Sequence, residues 1–174
     1  MGINQRAAVA MTDDEVSAFV VRSRTATLAT RGPDGVPHLV AMWFGWFDGS
    51  LWFETKAKSQ KAVNLRRDPT VVVMIEAGDT YDQLRGVSIE GTAHLVEDPG
   101  PFDPKDEYWA AAVNVYERYH GPYSEEARPL VELMMNKRIV VRVEPVRVRS
   151  WDHRKLGLPA MPLGGTTAAH LHDA

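Results

Sequence analysis

The chain has 174 residues, 44% apolar and 25% charged, with a net charge of −3 and no cysteine. That profile suits one domain with its own hydrophobic core. The acidic balance argues against general affinity for nucleic acid, and the lack of thiols excludes disulfides, cysteine nucleophiles, iron–sulfur clusters and cysteine zinc sites. No apolar run reaches membrane-spanning length, and the opening MGINQRAAVA lacks the hydrophobic block of a signal peptide. A cytoplasmic protein with no membrane contact is expected.

Residues 1–11 read as a loose arm, 12–157 as a single domain and 158–174 as an extended or mobile tail. Thr12-Asp13-Asp14-Glu15 is a capping box, with Met11 and Val16 placed as a hydrophobic staple; a short helix ending near Ser23 follows. The alternating, β-branched stretch Arg24–Thr30 is a first strand. After the turn Gly32-Pro33-Asp34-Gly35 comes a second, Val36–Phe47. Asp48-Gly49 is a strong two-residue hairpin signal; a tight turn there sets Trp46 opposite Leu51, Phe44 opposite Phe53 and Met42 opposite Thr55. Leu51–Thr55 is the third strand. Ser59 is placed to cap a short helix that Asp68-Pro69 stops. Strands four and five are Thr70–Ile75 and Leu84–Val96, with Gly91 marking a bulge or close approach. Residues 103–136 form a helical excursion: Asp103 and Pro104 are suited to open one helix running to His120, and a second covers about Glu126–Met135. Arg138–Trp151 is the last strand, with Pro145 at a bulge or edge. Asp152 and His153 suggest a local hydrogen-bonded pair.

Two features call for a chemical reason. Lys56, Lys58 and Lys61 cluster at the N-terminus of the short helix, where the dipole already disfavours cations; a bound anion would reverse that cost, and a solvated basic loop is the alternative. The second strand is apolar on both faces, with His38, Val40, Met42, Phe44 and Trp46 on one and Leu39, Ala41, Trp43 and Phe47 on the other. A half-buried antiparallel strand should alternate with polar residues. Its outer face therefore needs a partner subunit, a lid or a flat cofactor, unless the strand is buried wholly within its own chain.

The order of these pieces resembles the pyridoxamine-phosphate-oxidase-like split β-barrels, and within them the actinobacterial flavin and deazaflavin oxidoreductases. The resemblance is carried by Arg24–Thr30 with its Gly-Pro-Asp-Gly turn, by PHLVAMWF at Pro37–Phe44, by LWFET at Leu51–Thr55, by the Ser59/Lys61 pair, by NLRRDP at Asn64–Pro69 and by the VVVMI strand; it spans about residues 12–151. It implies a mainly β fold with peripheral helices: a six-stranded antiparallel split barrel that forms a homodimer with a cofactor groove at the interface. By position, Thr55, Ser59 and Lys61 match the family's phosphate contacts. Gln60 stands where flavin-binding relatives often have arginine, and Lys56 and Lys58 add positive charge. Val40, Ala41, Met42 and Trp43 match the strand beside the isoalloxazine or deazaflavin ring, and Arg85 is a further candidate at the start of the fifth strand. Leu39 and Phe44 occupy positions near the arginine pair of true pyridoxamine-phosphate oxidases, so vitamin B6 oxidation is not expected.

The resemblance thus implies an oxidoreductase that uses coenzyme F-420, or alternatively FMN, to transfer hydride to a small unsaturated or planar substrate. Tyr108, Trp109, Tyr116 and Tyr119 on the excursion suit the wall of a substrate pocket or packing onto the barrel. The alternative from another class is a non-catalytic binder of flavin, deazaflavin or haem; haem would need an axial ligand such as His38 or His94. No residue declares itself the catalytic acid, and no metal-binding spacing such as HExxH is present.

Overall fold

The computed structural model describes residues 5–163. Its framework is one antiparallel sheet of seven strands, β1 (Ala26–Arg31), β2 (Pro37–Met42), β3 (Gly45–Phe47), β4 (Ser50–Lys56), β5 (Thr70–Ala77), β6 (Arg85–Val96) and β7 (Arg138–Asp152), in the order β2-β1-β5-β6-β7-β4-β3. The two edge strands are consecutive pieces of one chain, so the sheet curls until its edges meet at Trp43–Phe44. This is the split-barrel class expected, with seven strands in place of six because the long second strand breaks.

The break has a physical cause far along the chain. The Phe44 N–H donates to the Tyr119 hydroxyl at 2.9 Å and the Trp46 N–H to Asn114 Oδ1 at 3.0 Å, so both amides leave the ladder. Tyr119 in turn donates to the Arg24 carbonyl at 2.7 Å. A Cβ on Gly45 would stand 2.8 Å from Asn114 Oδ1, so only glycine admits this approach. The hairpin keeps its expected register where it survives: Trp46 pairs with Leu51, and Asp48 and Gly49 both take positive φ, as a type I′ turn requires. Met42, expected opposite Thr55, pairs with Ala26 instead.

Inward residues of the strands, among them Leu28, Phe53, Val73, Ile89, Ile139 and Val141, fill the barrel together with Phe44 from the break. A second core lies outside it, where α4 (Glu107–His120) and α5 (Arg128–Met135) pack Tyr108, Trp109, Val131 and Met135 onto Trp52 and Val140. β4 is buried on both faces for this reason. The α4 cap is Asp106, not Asp103; the Asp103 carboxylate instead accepts from the Lys105 N–H within the preceding turn. The bulge at Gly91, opposite Pro145, falls where both residues indicated.

Within the stretch read as a loose arm, Gln5–Val9 form a helix, α1, and residues 1–4 lie outside the described residues. Val9 is buried, and the Met11 N–H donates to Ser150 Oγ at 3.0 Å. Helix α2 (Asp13–Arg22) carries the full capping box between Thr12 and Glu15. His153 bonds to the Tyr81 carbonyl and Asp152 to Arg154, so the expected Asp152–His153 pair does not form. Residues 158–163 lack regular structure, and the rest of the expected tail lies outside the described residues. Among the described residues no helix is long and apolar enough to cross a membrane.

Candidate functional site

Helix α3 (Gln60–Arg67) follows β4 through a tight basic turn, and its N-cap is Ser59, as the sequence indicates. The Ser59 hydroxyl accepts from the Ala62 N–H and lies 2.9 Å from Thr55 Oγ1, which joins strand end to helix start. The helix is fixed from behind by a hydrogen-bonded chain, buried at its Asn64–Thr30 end, in which Gln60 Nε2 donates to Asn64 Oδ1 and Asn64 Nδ2 to Thr30 Oγ1. Gln60 therefore serves the helix's own anchorage.

In front of this helix start lies a groove of about 390 Å³. Its apolar side is Val40, Ala41, Met42 and Trp43 from the end of β2, with Val115 and Met134 from the excursion. Its polar side is Thr55, Lys56, Ser59 and Lys61, joined by Glu54 and Arg138. Eight of the eleven residues singled out in the sequence thus meet in one groove. Lys58 is exposed beside it. Lys56 Nζ donates to the Asn136 carbonyl at 2.7 Å, which ties the turn to the end of α5.

Arg85 lies elsewhere. It lines a larger cavity, about 550 Å³, between α2 and the ends of β5 to β7, with Glu15, Glu76, Asp152, Arg22, Arg24 and Arg154. The charges there are largely matched: Arg154 pairs with Asp152 at 2.6 Å, and Arg85 donates to the Gln83 carbonyl. Size favours this cavity, but uncompensated charge beside an apolar wall favours the smaller groove. Binding sites are mostly apolar with a few placed polar groups, which is the groove's composition.

Electrostatics single out the groove's polar end. Burial and the neighbouring Arg138 guanidinium hold the Lys61 ammonium below its ordinary value. Two cations thus line one groove beside a helix N-terminus, an arrangement that an anion relieves. The sequence reading missed Arg138, because only the β4–β7 ladder sets it opposite Lys56. It also missed Glu54, a lone acid inside LWFET, whose placement in an otherwise apolar strand was the available signal. Glu54 is 8% exposed, its Oε1 and the Arg138 Nε have no hydrogen-bond partner, and burial pushes its carboxyl up to about 7 despite Arg138.

The excursion's aromatic residues serve other ends. Tyr108 and Trp109 are in the second core, and Tyr119 stacks on Trp43 with ring centres 4.3 Å apart. The excursion gives the groove Val115 and Met134. His38 and His94 do not line it, and His94 pairs with Glu144 at 3.0 Å. Leu39, away from the groove, is 63% exposed, and Trp43 in the groove wall is 52% exposed, so the second face at the end of β2 is bare in the single chain.

The groove sets Thr55, Ser59, Lys61 and Arg138 at a polar end and Val40 to Trp43 along an apolar wall, a lining that a planar ring carrying a phosphate would fit. Comparison with known proteins agrees with the split-barrel fold. The conserved hypothetical protein Rv2991 from Mycobacterium tuberculosis is 58% identical in sequence, with 94% of this chain and 98% of that one aligned at a TM-score of 0.85. An F-420 reductase is 25% identical over 79% of this chain and 98% of its own, at a TM-score of 0.55. The haem storage protein HutZ from Vibrio cholerae shares the fold at 20% identity and a TM-score of 0.59, over 78% of this chain and 92% of its own. Residues 12–152 match the family model described as pyridoxamine 5′-phosphate oxidase, and the chain belongs to that family.

Proposed function

We propose that this protein is an oxidoreductase that holds a phosphorylated deazaflavin, coenzyme F-420, or FMN in the groove between β2, β4 and α3 and passes hydride to a small unsaturated or planar substrate. The observation that carries the reading is the pair of crowded cations, Lys61 and Arg138, at the helix start beside an apolar wall. The F-420 reductase neighbour supports the choice of cofactor. When bound, the cofactor would supply the hydride chemistry. The protein's part is to grip the phosphate with Thr55, Ser59, Lys61 and Arg138, to lay the ring along Val40–Trp43, and to exclude water with Val115 and Met134.

The same reading includes a homodimer. Leu39, with Ala41 and Trp43 of the groove wall, forms an exposed apolar edge, and a second copy laid over this edge would cover it and close the groove.

The test is titration of the purified apo protein with coenzyme F-420, FMN and haem, read by tryptophan fluorescence. Trp43 lines the groove and reports on it. Micromolar binding of F-420 or FMN, followed by oxidation of the reduced bound cofactor on adding small unsaturated acceptors, supports the proposal. Tight binding without turnover, or a haem Soret shift, identifies a carrier. No binding refutes the assignment.

A further inference from the structure

Glu54 lies next to Thr55 on β4, yet no role in the groove has been assigned to it. Its side chain is on the outward face of the strand, under the helical excursion, and it lines the same groove as Lys61 and Arg138. Oε1 is buried and makes no hydrogen bond within the chain. Arg138 is near enough to act on it electrostatically, but no hydrogen bond joins the two, and Arg138 Nε is likewise without a partner. Of the six buried side-chain atoms without a partner among the described residues, Glu54 Oε1 and Arg138 Nε are the two whose residues share this groove, where one ligand could serve both. With Lys61 and Arg138 in the same groove, a ligand that accepts from both cations is the chemistry this lining suits.

We propose that Glu54 is a further ligand of the anion and binds it as the neutral acid, its O–H donating to an anion oxygen alongside Lys61 and Arg138. The inference rests on the groove being an anion site and adds a proton to it: binding takes a proton up from solution. Ionised, Glu54 would set a negative charge against the anion and partly neutralise Arg138; protonated, it leaves the cations free and offers one more donor. Burial, which holds the carboxyl at about 7, makes the neutral form accessible near neutrality.

The other charged and titratable groups around Glu54 are accounted for. Lys56 extends from the same strand and donates to the Asn136 carbonyl. Lys61 comes from α3, Arg138 from β7, and Tyr108 from α4, its hydroxyl bonded to the Arg138 carbonyl at 3.1 Å. Glu97 and Asp98 act on Tyr108 from beyond β6, and Tyr108 itself is held well above the range of interest. The α5 contribution, Met134, carries no charge. Lys61 is the one other group whose protonation could follow the anion, so it serves as the control.

Sulfate is the probe, because it stays a dianion across the working range and takes up no proton itself. Calorimetric titration of the full chain at about pH 8, in two buffers of different ionisation enthalpy, reads protons taken up per sulfate bound. The result expected is close to one proton for wild type, close to none for Glu54→Gln, and uptake retained, with weaker binding, in Lys61→Met. Glu54→Gln, which imitates the neutral acid, should bind sulfate about tenfold more tightly than wild type at that pH. Wild type that binds sulfate without proton uptake, or uptake that persists in Glu54→Gln, overturns the role of Glu54 while leaving the anion site standing. Wild type that binds no sulfate at about pH 6 or 8 overturns the anion site and this inference together. Should Glu54→Gln fail to fold, the wild-type and Lys61→Met titrations still decide: uptake lost in Lys61→Met assigns the proton to Lys61 and refutes the inference.

Discussion

Replacing Lys61 by methionine should weaken ligand binding and strengthen the apo fold at the same time. Methionine keeps the length and the apolar stem and removes the charge. Without ligand, Lys61 is half-buried and held next to Arg138, so its ammonium bears both desolvation and repulsion. Deleting it relieves both, and the melting temperature of the apo protein should stay level or rise. With a phosphate in the groove, the same ammonium makes a charge-assisted contact, for which about 1.5–3 kcal/mol is usual. Partial solvent exposure reduces this to about 1–2 kcal/mol, or roughly a 5- to 30-fold loss of affinity. Fluorescence titration with FMN and coenzyme F-420, paired with thermal melts of apo protein, reads both signs. An unchanged affinity would refute the placement of the phosphate. A fall of many degrees in the apo melt would refute the argument that Lys61 is strained in the empty site.

Other consequences follow from single contacts. Burial raises the Glu54 carboxyl from 4.5 in the unfolded chain to about 7 in the folded one. The folded state then holds the extra proton between those values, so stability falls as pH rises through that window, by roughly 3 kcal/mol in all. Urea denaturation at about pH 5 and pH 8 should show Glu54→Gln matching wild type at the lower pH and exceeding it at the higher. Tyr119→Phe removes the acceptor of the Phe44 N–H and the donor to Arg24, and should cost about 1–3 kcal/mol in urea denaturation. Ala41→Glu sets a charge on the bare face of β2 and should shift a dimer to monomer in analytical ultracentrifugation. Thr12→Ala breaks the capping box and should cost about 1 kcal/mol.

Local chemistry explains what was legible before the structure. The Thr12–Glu15 box, the Asp48-Gly49 turn, the Ser59 cap and the Gly91–Pro145 bulge each depend on residues within a few positions or on one backbone constraint, and each falls where the sequence indicates. The two-sided apolar strand was legible too, since exposed Leu39 and Trp43 are the surplus it signalled. The break at Trp43–Phe44 was not, because Tyr119 and Asn114 impose it from 75 and 68 residues away. Asp103 and Asp106 offer the same capping chemistry three residues apart, and the helix is capped by Asp106. At the candidate site, Thr55, Lys56, Ser59 and Lys61, which come from one continuous stretch, meet in the groove as the sequence indicates. Arg138 and Glu54 were not assigned, because their meeting depends on the β4–β7 ladder and on the helices laid over it. Arg85, placed in the groove by resemblance, is in the other cavity.

The central claim is where the phosphate-bearing cofactor binds, and the most direct measurement is amide hydrogen exchange of the protein with and without FMN or coenzyme F-420. The account predicts slowed exchange at Thr55–Ala62 and at Val40–Trp43, with Val115 and Met134 following. Protection confined to α2 and the start of β6, around Arg85, would place the ligand in the larger cavity and contradict the account.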